Sequence, residues 1–157
     1  MLFSYADGLL IFEYEKKWQV WRLFSAHFIH VDFYHLTGNL LAYVMLLYLF
    51  PISWQKQLKI FLMALLLIDV YLLFFSIEIY AGLSGLLYAI PGASCYRIFK
   101  QKKYISTLFI VLILLVYLGV ISPYTSQFYT EAWQPLNQAH LLGFVAGLLG
   151  AKLMFEN

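Results

Sequence analysis

Charge is scarce in this sequence. Asp, Glu, Lys and Arg together make up 11% of its 157 residues, and 63% of the chain is hydrophobic. A soluble domain carries roughly 25% charged residues. A chain this apolar has too little polar surface to cover itself in water, so lipid has to be its solvent. Cysteine is almost absent: Cys95 stands alone, which excludes an internal disulfide and offers no Cys-x-x-Cys metal or redox pattern. The formal net charge of +2 is too small to point to nucleic acid. No basic stretch, short apolar run and small-residue cleavage site follow one another at the start, so no secretory signal peptide is expected. Internal repeats and low-complexity linkers are also missing. One compact helical membrane domain over residues 1–157 is the natural reading.

What the chain does have is long apolar runs. A crossing needs about 20 predominantly apolar residues, and five candidates fit: residues 35–50, 58–75, 81–99, 104–121 and 138–155. Pro51 stops the first, Pro91-Gly92 sits inside the third, and Ser122-Pro123 ends the fourth. Residues 1–34 are different. Asp7, Glu13, Glu15, Lys16 and Lys17 break any long apolar run there. Trp18 to Tyr34 is rich in aromatics and dotted with polar residues, as in an interfacial loop or a short helix lying in the membrane plane.

Basic residues give the orientation. Lys56 and Lys59 follow the first span, Arg97, Lys100, Lys102 and Lys103 follow the third, and Lys152 closes the fifth. If the spans alternate, these seven of the ten basic residues share one side, which is then the cytoplasm. The other side holds the Trp18–Tyr34 segment, the loop around Glu78 and the loop from Ser122 to Asn137 with Glu131. Lys16, Lys17 and Arg22 lie there too and weaken the bias without reversing it.

On this topology the first, third and fifth spans all run from outside to inside, and their first turns lie at similar depth. Those turns contain His35 and Asn39, then Ser84, then His140. Polar side chains inside a membrane are costly and face the bundle interior or a wet cavity. A Ser with a His in reach is a nucleophile with its general base. His35 and Asn39, at i and i+4, share one helix face and can both donate to a developing oxyanion. Gly82 and Gly85 remove bulk around Ser84. Gly143-x-x-x-Gly147 gives the fifth span a smooth face for close helix contact, which would bring Ser84 and His140 to about 2.6–3.5 Å. No carboxylate is well placed as a third member, since Asp69 lies deep in the second span and Glu78 in an outer loop. A Ser–His dyad fits better than a triad.

Taken in order, Trp21-Arg22, His30, His35-x-x-x-Asn39, Gly82-Leu83-Ser84-Gly85 with Tyr88, and Ala139-His140-x-x-Gly143-x-x-x-Gly147 resemble the rhomboid intramembrane serine proteases, from Trp21 to Lys152. The resemblance implies Ser84 as nucleophile and His140 as base, His35 and Asn39 near the oxyanion, and Tyr88 packed against the His140 ring. It places Trp21-Arg22 in a lateral loop of the outer leaflet. It implies a substrate anchored by a transmembrane helix, no cofactor, and cleavage near the outer face of a bacterial inner membrane. The family core has a first helix ahead of the Trp21 loop, and Met1 to Glu15 is too short and too polar to supply it. Small size and the stretch His27-Phe28-Ile29-His30-Val31-Asp32-Phe33-Tyr34-His35 resemble the rhombosortase branch, whose substrates carry C-terminal Gly-Gly anchor segments.

Blander readings apply to single residues. A Ser between glycines is usually a packing residue, and Gly-x-x-x-Gly is structural whatever the function. His27 and His30 read as surface or loop residues. Asp69 reads as a structural hydrogen-bonding group, with a Tyr hydroxyl of a neighbouring span as its candidate partner. Two other functions compete with proteolysis. One is a metal or haem site built from His27, His30, His35 and His140, although no His-Glu-x-x-His pattern supports it. The other is a catalytically inactive binder of transmembrane helices, in which the Ser or His would be lost.

Overall fold

The computed structural model describes residues 7–30, 32–104, 106, 108, 111 and 136–155. The span expected over residues 104–121 and the loop after it, with Glu131, lie almost wholly outside the described residues. In chain order the elements are α1 (Asp7–Leu10), β1 (Phe12–Glu13), a 3-10 turn (Tyr14–Lys16), α2 (Trp21–Ala26), α3 (Phe33–Leu49), α4 (Trp54–Phe74), β2 (Ile79–Tyr80), α5 (Ser84–Leu87), α6 (Ala89–Lys100) and α7 (Asn137–Phe155).

The three long helices follow from local chemistry. Asp32 caps α3, its carboxylate accepting from the His35 N–H at 2.7 Å, so one of the orphan donors of the first turn is satisfied. The helix stops at Leu49 because Pro51 bars Phe50 from the helical region. Helix α4 buries a single stripe, Gln57, Ile60, Ala64, Ile68 and Leu72, at steps of three and four residues. Its other faces expose Leu58, Leu62, Leu66 and Val70. The same inversion holds on α3, which exposes Leu41, Val44, Met45 and Tyr48 while burying Asn39. Apolar surface of this extent belongs in lipid.

Among the described residues, Trp54–Phe74 alone combines the length and hydropathy of a full crossing, and Phe33–Leu49 is a shorter apolar helix of 17 residues. The third expected span is also reshaped. Its helix begins at Ser84 rather than Ala81 and is interrupted at Tyr88. Pro91 explains the interruption: it has no N–H to offer the Leu87 carbonyl, and its ring crowds that oxygen. The helix resumes as Gly92 N–H reaches Tyr88 O at 3.2 Å.

The fold is not purely helical. Strands β1 and β2 pair antiparallel, Phe12 opposite Tyr80 and Glu13 opposite Ile79. Two residues per strand leave no alternation for a sequence to display. This ladder, extended by Tyr14 N–H to Glu78 O at 3.1 Å, ties the N-terminal segment to the loop ahead of Ser84. Within the Trp18–Tyr34 segment a short helix forms, α2, and the segment around it is tied down by side-chain hydrogen bonds. Arg22, 2% exposed, donates to the carbonyls of Ile11 at 2.7 Å and Gly8 at 2.9 Å and to Gln19 Oε1 at 2.6 Å, and pairs with Glu13 at 3.3 Å.

Helix α7 packs against α6, α4 and α5. Small residues are frequent in the buried cluster to which α7 contributes, with Ala89, Ala93, Ala139, Ala146 and Ala151 beside larger ones such as Ile60 and Ile68. A side-chain carbon at Gly143 would strike the Gly85 carbonyl oxygen, and one at Gly147 the Ala89 carbonyl oxygen. Gly92 makes the reciprocal contact with the Phe144 carbonyl. The Gly-x-x-x-Gly face therefore does point at the Ser84 helix, and the backbones touch with no side chain between them.

Candidate active site

Ser84 is the first residue of α5, where the chain leaves an irregular turn. The turn is possible because Gly82 adopts φ +123, a region that side-chain-bearing residues rarely enter. His140 lies in the first turn of α7 and is 5% exposed. The glycine contacts bring these two helices together at this level, and Ser84 Oγ lies 2.8 Å from His140 Nε2. Tyr88, one helical turn after Ser84, stacks on the His140 ring with centroids 4.6 Å apart and planes inclined by 16°. The stack fixes the plane of the imidazole and so aims Nε2 at the hydroxyl.

Helix α3 supplies the opposite wall and packs against α5 and α6. A side-chain carbon built on Gly82 would lie 2.9 Å from His35 Cε1, 3.3 Å from His35 Nε2 and 4.0 Å from Ser84 Oγ. His35 and Ser84 thus share the small space that the missing side chain of Gly82 leaves. Asn39, one turn further along α3, is 7% exposed, and its buried Nδ2 has no hydrogen-bond partner among the described residues. A buried amide donor with nothing to donate to is costly. It is also what a site awaiting an anionic oxygen would contain.

A Rhomboid domain model matches residues 17–157. The chain belongs to the rhomboid family. Rhomboids are generally intramembrane serine proteases acting on transmembrane substrates, so this rhomboid is an integral membrane protein. No curated protein and no solved structure matches the chain.

Ser84, His140, His35, Gly82 and Tyr88 converge in this rhomboid, and Asn39 lies on the same helix face as His35. Two expectations from the sequence need correction. His27 and His30 are loop residues, in the connection between α2 and α3, but not surface ones: His27 is 0% exposed, packed on Asp69 of α4, and His30 is 8% exposed, packed on His35 of α3. And Asp69 does not look to a tyrosine: its carboxylate lies 3.0 Å from His27 Nε2, and the tyrosine, Tyr80, stands one step further on, at His27 Nδ1. His30 packs edge-on against His35, ring centroids 5.0 Å apart. Burial holds the His30 imidazole below its ordinary pKa, against the opposing pull of the Phe28 carbonyl and Asp32. Among the described residues no three His, Cys, Asp or Glu side chains converge as a set of metal ligands.

Proposed function

We propose that this rhomboid is a serine endopeptidase that cuts transmembrane-anchored proteins near the outer face of the membrane with a Ser84–His140 dyad. The observation that carries the reading is the 2.8 Å approach of Ser84 Oγ to His140 Nε2. With Nε2 accepting, the ring proton resides on Nδ1 and the imidazole is poised to take the hydroxyl proton. The reading keeps five crossings and one membrane domain in this chain.

A substrate helix comes laterally from the lipid and unwinds locally, because a helical peptide bond is shielded from attack. Gly or other small residues near the cut lower that cost. Ser84 Oγ attacks the carbonyl carbon as its proton passes to His140. The oxyanion is met by Asn39 Nδ2, by His35 and by backbone N–H groups at the start of α5, where a first helical turn leaves donors without intrahelical partners. His140 then protonates the leaving amine, and water hydrolyses the acyl-enzyme. The His27–His35 stretch supports a substrate with a C-terminal Gly-Gly anchor, processed at a bacterial inner membrane.

The direct test uses purified protein in liposomes. A fluorophosphonate is expected to label one residue, mapped by mass spectrometry to Ser84, and a transmembrane substrate is expected to be cut. Protein that neither labels nor cleaves overturns the reading and leaves binding of transmembrane helices in its place. The oxyanion role has its own test. Asn39→Ala is expected to lower kcat by about 10²-fold with KM little changed. Unchanged turnover would return Asn39 to a packing role.

A further inference from the structure

Outside the dyad, one chain of hydrogen bonds joins three separate elements to the turn that holds Ser84. It begins in the membrane-spanning helix α4, where Asp69 Oδ1 lies 3.0 Å from His27 Nε2. It crosses the buried imidazole of His27 to Tyr80 Oη, 3.1 Å from Nδ1. It ends on the Gly82 carbonyl, 3.2 Å from the same hydroxyl. Where the Asp69 carboxyl accepts from Nε2, Nδ1 is left to accept, and the Tyr80 hydroxyl is shared between Nδ1 and Gly82 O.

The end of the chain is what gives it meaning. The other polar group of Gly82, its N–H, donates to Ala26 O at 2.9 Å. The residue with φ +123 is therefore held on both sides, by α2 and by Tyr80. The Tyr80 hydroxyl also reaches past Ser84: a side-chain carbon on Gly85 would lie 2.9 Å from it. One hydroxyl thus underlies both glycines that flank the nucleophile. His27 is 0% exposed and Tyr80 4%. Their rings meet edge-on with centroids 5.2 Å apart. Burial first, and the Asp69 charge second, raise the Tyr80 pKa, so the phenol keeps its proton and remains a donor. Apolar side chains of similar volume would fill this space without the desolvation cost of an acid, an imidazole and a phenol.

We propose that Asp69, His27 and Tyr80 are positioning residues, a brace from the second expected span that holds the Gly82–Gly85 turn and thereby aligns Ser84 with His140. The inference rests on the reading of Ser84 as nucleophile. The brace meets the turn at the Gly82 carbonyl. It acts through the backbone on which Ser84 is mounted, and misplacement of a reacting atom by about 1 Å lowers a rate by roughly 10²-fold.

The test compares wild type with Tyr80→Phe, Asp69→Ala, Asp69→Asn and the double variant Tyr80→Phe/Asp69→Ala in liposomes. It reads kcat, KM, the first-order rate of Ser84 labelling by a fluorophosphonate, and the melting temperature. Tyr80→Phe and Asp69→Ala are expected to lower kcat and the labelling rate of the folded fraction by about 10- to 10²-fold, with KM unchanged. Asp69→Asn keeps an acceptor facing His27 and is expected to restore most of the rate. The double variant is expected to be no slower than the slower single one, because both interrupt the same chain. Wild-type rates in Tyr80→Phe overturn the brace. So does a loss that only tracks the fraction of unfolded protein, with Asp69→Asn no better than Asp69→Ala. A wild type that does not label at Ser84 removes the nucleophile reading and the brace together, whereas an active wild type beside an unaffected Tyr80→Phe removes the brace alone.

Discussion

Replacing Ser84 with Ala is expected to lower cleavage of a transmembrane substrate by roughly 10⁴-fold or more and leave the protein folded. The substitution removes one oxygen, whose partner is His140 Nε2 at 2.8 Å. Ala suits the start of a helix, and the Gly143–Gly85 contact beside it involves backbone rather than the serine side chain. A fall of 10⁴ corresponds to about 5 kcal/mol of transition-state stabilisation, far more than loss of a single hydrogen bond from the folded state, about 1 kcal/mol. Activity and melting temperature therefore separate in this variant. Cleavage above a few per cent of wild type in liposomes, with contaminating proteases excluded by the same inhibitor profile, would end the nucleophile assignment.

His140→Ala is expected to abolish cleavage and, unlike a substrate-binding variant, to abolish fluorophosphonate labelling of Ser84 as well. An aliphatic alcohol is a poor nucleophile until a base takes its proton. Among the described residues, the ring hydrogen-bonded to that alcohol is His140. The loss expected is about 10³-fold or more in labelling rate. This variant also forfeits the stack on Tyr88 and opens space at a position that is 5% exposed, so some thermal destabilisation should accompany it. Labelling is accordingly read on the folded fraction. Full labelling in His140→Ala would point to another base, and His35, beside the same glycine, is the first to test.

The site was more legible in the sequence than the fold around it. Ser84, His140, His35 and Asn39 are polar groups in the first turns of apolar segments, and polarity is conspicuous where everything else is lipid-compatible. The glycine spacing likewise pointed at the helix it meets. What escaped was everything set by irregular backbone. The β1–β2 ladder has two residues per strand, too few for any periodic pattern. The late start of α5 depends on the φ of Gly82, which a glycine in the sequence permits but does not announce. The interruption at Tyr88 was implicit in Pro91, read only as lying inside the span. Asp69 was visible as an anomaly, yet its partner was not. His27 belongs to a segment whose aromatic and mixed character reads as interfacial, and only tertiary folding carries it from the end of α2 onto α4. An intramembrane carboxylate of this kind is best treated as half of a pair, with every histidine in the chain considered for the other half.

The glycine seam between α7 and the Ser84 and Ala89 helices has a mechanical consequence. Where carbonyl oxygens of one helix rest directly on glycines of the other, there are no rotamers to rearrange and no side-chain volume to trade. Ser84 and His140 are thus mounted on helices whose spacing is set by backbone contact at glycines rather than by the choice of side-chain rotamers. If a substrate helix enters from the lipid as proposed, the yielding that admits it falls to other parts of the bundle. On the proposed reading, chemistry and admission fall to different pieces of the molecule, so a change that speeds or slows admission is expected to leave the intrinsic reactivity of Ser84 untouched.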